Sequence, residues 1–438
     1  MAPQTDIMEQ IICRSHYGRP ESIGLDCKLE AIQTELAVVQ EVRAALGQIP
    51  GILLALPYGV MADHYGRKAV FLLFLLGLVL SDTLVKLIYL FPGVLPLRLV
   101  WACPFLNIIG GGSQVGDFVI CTIIADVVPS QERVGAFLKL AAIDLAAQIV
   151  ATPLAAVMMR YSSWYPLALS SLLFVFGAFL ATRLPETRPQ FYKAVSLQEP
   201  EDSSECCDQT EGRSLLGEYR KFFGSMRSIS TGSVTVLLFV FFMACFGTQS
   251  MQLLLQYASK KFSWDYSKAS LLMTLRSIFH LALATVLMPL ADAYIAQQRG
   301  LDALDKDTKL SQISGGLLFA GHLLLFLANN PTVLVSGLIT TALGSSFLIT
   351  LRSTLTSLVP ATSVGALYAA VSIAHGLGIM VAGPLIALIF HWGMVIGNGW
   401  LGLPFLVTSL LHLLALMVMT CSTRMSGYRA LLPNDRAE

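Results

Sequence analysis

Charge is what this sequence has least of. Among 438 residues there are 29 Lys or Arg and 28 Asp or Glu, 13% of the chain. That is about half the ~25% of an ordinary soluble domain. The deficit is uneven: Ser353 to Thr423 contains no charged residue, and Leu310 to Thr423 contains Arg352 alone. A soluble fold could not wet so long a stretch. The net charge of +1 supplies no basic footprint for phosphate, which excludes a nucleic-acid binder. Also missing are a His-Glu-x-x-His pair, a Gly-x-Ser-x-Gly elbow and a phosphate loop of the Gly-x-x-x-x-Gly-Lys-Ser/Thr type. No His-rich cluster or Cys spacing suggests a metal, so neither an enzyme, a cofactor nor a metal site is expected. Residues 1–41 have no apolar core of signal-peptide type.

What is there is apolar sequence. Hydrophobic residues make up 55% of the chain. A bilayer span needs ~20 apolar residues, and lipid leaves helices as the way to satisfy the backbone of such a chain. Windows between charges and turn signals predict an all-α membrane protein with eleven spans, near 42–62, 69–91, 97–125, 134–159, 164–182, 232–257, 268–291, 310–328, 331–357, 363–390 and 399–421. The expected organisation is an extracytoplasmic segment 1–41, a five-helix bundle 42–182, a cytoplasmic linker 183–231, a six-helix bundle 232–422 and a cytoplasmic tail 423–438. The linker contains the acidic stretch QEPEDSSECCDQTEGR, which reads as disordered. After it, Leu215, Leu216, Tyr219, Phe222, Phe223 and Met226 recur at helical spacing beside Arg220, Lys221 and Arg227. That pattern suits either a helix on the anionic membrane surface or a solvated connector.

Lys and Arg set the orientation. The side carrying Arg67, Lys68, Arg133, Lys139, the linker and the C-terminal tail outnumbers the other in basic residues, so it is expected to be cytoplasmic. With eleven spans the N terminus then lies outside, where oxidation is permitted. Cys13 and Cys27 are therefore a disulfide candidate.

The chain also repeats itself. VGAFLKLAAIDLAAQIVATPLAA from Val134 parallels VGALYAAVSIAHGLGIMVAGPLIA from Val364. Gly135 matches Gly365, Pro153 matches Pro384, Gly112 matches Gly344, and Asp63 matches Asp292, all at nearly one offset. Parallel repeats mark a class of secondary transporters with the substrate site between halves. The span 232–257 has no upstream counterpart, so the first half is expected to lack its opening helix.

Intramembrane ionisable groups are costly and point to function. Asp117, Asp144, Arg276 and Arg352 fall well inside predicted spans. Asp144 or Asp117 is the candidate carrier of a coupling proton, with Arg276 or Arg352 as partner or substrate anchor. A buried ion pair that only joins helices is the competing reading. Asp82 and Lys86, four residues apart, are expected to satisfy each other.

The loop GVMADHYGRK contains Gly59, Asp63, Gly66, Arg67 and Lys68. It resembles the Gly-x-x-x-Asp-x-x-Gly-Arg-Lys loop of the major facilitator superfamily. IIADVVPSQER, with Asp126 and Arg133, resembles that family's second cytoplasmic loop. LPETR, with Glu186, resembles the signature that closes the N-terminal half of many twelve-helix members. Together with LPLRLVW, IGGGSQV and LQYASKKFSW, these stretches are similar to a fungal branch of the family. The likeness covers essentially the whole chain and again implies an absent first helix. The family's glycine-proline pattern on the fifth helix is reduced here to AAQIVATPLAA, keeping Pro153, which weakens the expectation of antiport.

The resemblance implies a two-bundle fold and a gate built from Asp63, Arg67, Lys68, Asp126 and Arg133. It also implies a cavity lined by the spans 97–125, 232–257 and 331–357. In the second of these, Gln249, Gln252 and Gln256 share one helical face; they are pathway candidates or interhelical glue. The expected activity is secondary active transport of a small organic molecule. Proton-coupled efflux by a monomer in the plasma membrane is the leading form. A truncated, non-transporting or sensor-like relative and an uptake transporter are the alternatives.

Overall fold

The computed structural model describes residues 1–18, 26–128, 133–187, 232–288, 290, 303–357, 359 and 364–430. The acidic linker and the amphipathic stretch 215–226 lie outside them, as does Asp292. The described residues form helices and no strand. In chain order these are α1 (Ala2–Tyr17), α2 (Glu30–Leu46), α3 (Gln48–Tyr65) and α4 (Arg67–Leu90). Then come α5 (Gly112–Val127), α6 (Arg133–Met159), α7 (Trp164–Thr182), α8 (Gly232–Phe262) and α9 (Tyr266–Ala282). The series ends with α10 (Ala303–Phe326), α11 (Pro331–Leu343), α12 (Phe347–Ser357), α13 (Val364–Ile396) and α14 (Leu403–Ala430). Nine segments among the described residues are long and apolar enough to cross a bilayer. The chain is a multi-pass membrane protein.

Three differences from the sequence expectation have physical causes. The N-terminal segment, read as a polar tail, forms α1 and α2; Thr5, Glu9, Gln33 and Glu41 are buried, with Gln33 donating to Glu9 and Gln40 to Thr5. The predicted span 97–125 begins as 3₁₀ turns over Leu97–Trp101 and Cys103–Ile109. Pro96 precedes the first turn and Pro104 opens the second, and Gly110 and Gly111 separate them from α5. The predicted span 331–357 breaks into α11 and α12 at Gly344, Ser345 and Ser346, where a Gly/Ser run weakens the helical ladder.

Contacts group the chain into two units. One comprises Met1–Ala45, Ala142–Leu167 and Ile229–Glu438; the other comprises Leu46–Ala141 and Ala168–Ser228. In the first unit the core joins Leu253, Leu254 and Tyr257 of α8 to Leu325, Leu338, Phe390 and Phe405, with Ala2 and Ala37 packed into it. A second cluster gathers Phe241, Phe347, Leu351, Leu367 and Met419. In the other unit Ala62, Val70, Val115 and Val119 form a small core. There α7 exposes Leu172, Leu173, Phe174, Val175, Phe176 and Phe179, a surface that only lipid suits.

Candidate functional site

In the smaller unit the glycine-rich loop has collapsed to one residue. Gly66 links α3 to α4 at φ +102°, a conformation that L side chains rarely adopt. A Cβ at Gly66 would also stand 2.5 Å from Oε2 of Glu186. That carboxylate sits at the start of α4 and accepts the backbone N–H of Arg67 at 2.9 Å and of Lys68 at 3.2 Å. The first N–H groups of a helix have no partner within it and carry the positive end of its dipole. Arg67 Nε meets Asp126 Oδ2 at 3.3 Å. Gly59 faces the ring edge of Phe118. Asp63 lies in α3 and Arg133 at the start of α6, but both side chains fall outside the described set. Thus the structure brings Arg67 and Asp126, two of the residues that the family resemblance assigns to a gate, into contact, and Glu186 joins them through the backbone.

In the larger unit the glutamine face of α8 is buried against α2. Gln249 donates to Glu41 Oε2 at 3.0 Å, and Gln252 donates to Gln249 Oε1 at 3.0 Å. Gln256 donates to the Gln33 carbonyl at 2.5 Å and to Gln33 Oε1 at 3.0 Å. Gln249 meets Glu41 while Gln256 meets Gln33, the reversed order that antiparallel helices require. All four side chains are buried. The Oε1 of Gln256 has no hydrogen-bond partner.

This ladder continues into α1. Glu9, also buried, accepts from Lys28 Nζ at 2.7 Å and 2.9 Å, from Tyr266 Oη at 2.9 Å and from Gln33. Lys28 Nζ also donates to Ser259 Oγ at 2.8 Å. A disulfide joins Cys13 to Cys27, closing the loop between α1 and α2. Sequence reasoning passed over Glu9, Gln33 and Glu41. Gln33 and Glu41 lie eight residues apart and the glutamines they meet seven, a match that shows only once the two helices are placed side by side.

The ionisable groups predicted inside spans scatter. Asp117 and Arg352 are exposed on their helices, and Arg352 lies over the Phe241 ring at 5.8 Å. Asp144 is also exposed; it accepts from Gln148 at 2.9 Å, and Gln148 Oε1 accepts from Ser277 of α9 at 3.2 Å. Asp82 and Lys86 bond at 2.5 Å, and Lys86 also reaches Ser170 and Ser171 of α7. Arg276 lines a cavity of about 190 Å³ with His280, His322 and His412. A larger cavity, about 730 Å³, is lined by Asp6, Arg160, Ser163, Asp265, Tyr266 and Lys268 among others. Among the described residues no group of three or more His, Cys, Asp or Glu could hold a metal.

Residues 39–255 match the sequence profile of the Major Facilitator Superfamily. The MFS efflux pump atnC of Emericella nidulans is 33% identical over 421 residues, covering 93% of this chain and 81% of that protein. The efflux pump ustT of Aspergillus flavus is 32% identical over 412 residues, covering 91% and 80%. Among solved structures, a nucleoside transporter aligns with a TM-score of 0.63 at 14% identity over 96% of this chain and 98% of that one. A D-xylose–proton symporter aligns with a TM-score of 0.62 at 15% identity, covering 95% and 94%. At such identities these two show likeness of fold alone.

Proposed function

The chain belongs to the Major Facilitator Superfamily, and from that premise we propose that this membrane transporter exports a small organic molecule by proton-coupled alternating access. The observation that carries the reading is the polar ladder of the larger unit. It ties first-half helices to second-half helices: α2 to α8 through Glu41 and Gln249, α1 to α9 through Glu9 and Tyr266, and α6 to α9 through Gln148 and Ser277. Such bonds close one face of a transporter and must break for that face to open. The basic-residue asymmetry makes this face extracytoplasmic. Two relatives are named efflux pumps, which supports outward transport.

On this reading 42–182 and 232–422 are the two moving bundles, 183–231 the linker and 423–438 the tail. Arg67, Lys68, Asp126 and Glu186, with Asp63 and Arg133, form the cytoplasmic lock. Asp144 is the preferred proton carrier over Asp117, because its bonded Gln148 reaches a helix of the other half. The glutamine stripe serves closure more directly than substrate contact.

The test uses inside-out plasma-membrane vesicles from a yeast expressing the chain. A pH-sensitive dye reports proton movement on addition of a panel of fungal metabolites and drug-like compounds. Compound-dependent proton flux is expected with the native chain and is lost in Asp144→Asn. A native chain that moves no proton with any compound, or an Asp144→Asn variant with full flux, would sink the coupled-export reading.

A further inference from the structure

We propose that the cavity lined by Arg276, His280, His322 and His412 receives the carboxylate of an organic anion. This names a substrate class for the transport reading and rests on it for the cavity's place in the cycle.

Three observations converge. First, Arg276 is a cation within a membrane span and, among the described residues, makes no ion pair or hydrogen bond. A guanidinium does not shed its proton under physiological conditions, and an unpaired charge at this depth is costly. No Asp or Glu lines the cavity, and Asp144, the carboxylate whose field reaches His280, is already bonded by Gln148. The missing partner of Arg276 is an anion supplied from outside the chain. Carboxylates match the guanidinium fork in two parallel hydrogen bonds.

Second, the imidazoles of His322 and His412 stack with centroids 4.9 Å apart. Each Nδ1 lies 2.8 Å from the carbonyl four residues earlier, Leu318 and Thr408 respectively. A carbonyl can only accept, so each Nδ1 carries the hydrogen and Nε2 is left free. The Nε2 of His322 is buried and, although close to the Gly247 backbone, makes no hydrogen bond of normal geometry. A ligand hydroxyl or N–H beside the carboxylate would supply its missing partner.

Third, the corner is held open by the lack of a side chain. A Cβ at Gly247 would stand 2.6 Å from Cε1 of His412 and 3.6 Å from Cε1 of His322. Thr248, Thr341 and Ser345 add hydroxyls to the lining. At about 190 Å³ the cavity is below the ~300–1,000 Å³ typical of whole-ligand sites. It suits an acidic head, with the remainder of the molecule outside.

The experiment measures thermal unfolding of the purified full chain in detergent with sodium benzoate, with benzamide, and with sodium chloride at matched ionic strength. Benzoate should raise the melting temperature saturably; benzamide and chloride should not. Arg276→Gln should weaken benzoate binding by at least about tenfold, the scale of a lost hydrogen bond to a charged group. Arg276→Lys, a point charge without the fork, should fall between. Equal protection by benzamide or chloride overturns the proposal, as does no protection by benzoate, or a folded Arg276→Gln that binds benzoate like the native chain. The comparison of the three additives needs no variant, so it decides even if Arg276→Gln does not fold. Binding is read without membrane or gradient. A chain that binds benzoate yet moves nothing in vesicles would therefore count against transport and leave the anion site standing.

Discussion

Gln249 on α8 donates its side-chain amide to Glu41 on α2 at 3.0 Å, and neither side chain is open to solvent. A buried acceptor removed from such a pair leaves its donor stranded, at a cost of about 1–3 kcal/mol. Glu41→Ala should therefore lower the stability of the purified protein by about that amount, while Glu41→Gln, which keeps an acceptor, should cost less. A double-mutant cycle with Gln249→Ala isolates the pair. If the two substitutions add without coupling, the contact does not join the helices in solution.

The same pair marks where sequence reading stopped. The glutamine face of α8 was legible because three polar residues recur at helical spacing in an apolar span. Its partner was not, because Gln33 and Glu41 sit among Glu30, Glu35 and Arg43, and a charged segment reads as solvated. Burial there depends on side chains satisfying one another across α1, α2, α8 and α9, a tertiary property with no local signature. The apolar spans needed no such partner and were visible from composition, as α7 illustrates. The break between α11 and α12 was hidden for the opposite reason: hydropathy continues across Gly344 while the helix does not.

Glu186 and Gly66 make a second prediction. The carboxylate caps α4 from a distant loop, and the glycine both supplies the turn and leaves room for it. Glu186→Gln should cost about 0.5–2 kcal/mol of stability, the range for loss of a helix N-terminal partner. Gly66→Ala should be worse, since it adds strain at positive φ to a collision with Glu186. Loss of the Arg67–Asp126 contact, part-exposed, should cost no more than ~1 kcal/mol. Unfolding of the three variants in detergent gives the ranking. A tolerated Gly66→Ala would contradict it.

The Cys13–Cys27 bond spans 14 residues of sequence. Closing a loop of that size restricts the unfolded chain by about 3 kcal/mol in the entropy view. Replacing both cysteines by Ser should lower stability by up to that amount. Thiol labelling of the denatured, unreduced protein checks the bond itself: Cys13 and Cys27 should stay unlabelled while Cys103, Cys121, Cys245 and Cys421 react. Labelling at either of the first two would refute it.

Asp6, on α1, makes stability depend on pH. Its carboxyl accepts from Gln10 at 2.9 Å and Ser163 at 2.5 Å. Burial raises its pKa above the ordinary value, and the Ser163 hydrogen bond opposes that shift. The folded protein therefore binds this proton more tightly than the unfolded chain. The resulting stability is fully present below the unfolded pKa and is lost as pH rises through the folded one. Above both, the charged carboxylate costs the fold. Asp6→Asn should thus be more stable than the native chain at about pH 7 and should flatten the dependence above about pH 4. Ser163→Ala, which removes the opposing bond, should steepen it. Melting temperatures of the three proteins across that range decide the matter: an Asn variant less stable at neutral pH, with an unchanged profile, would show that Asp6 is held by its hydrogen bonds more than it is penalised by burial.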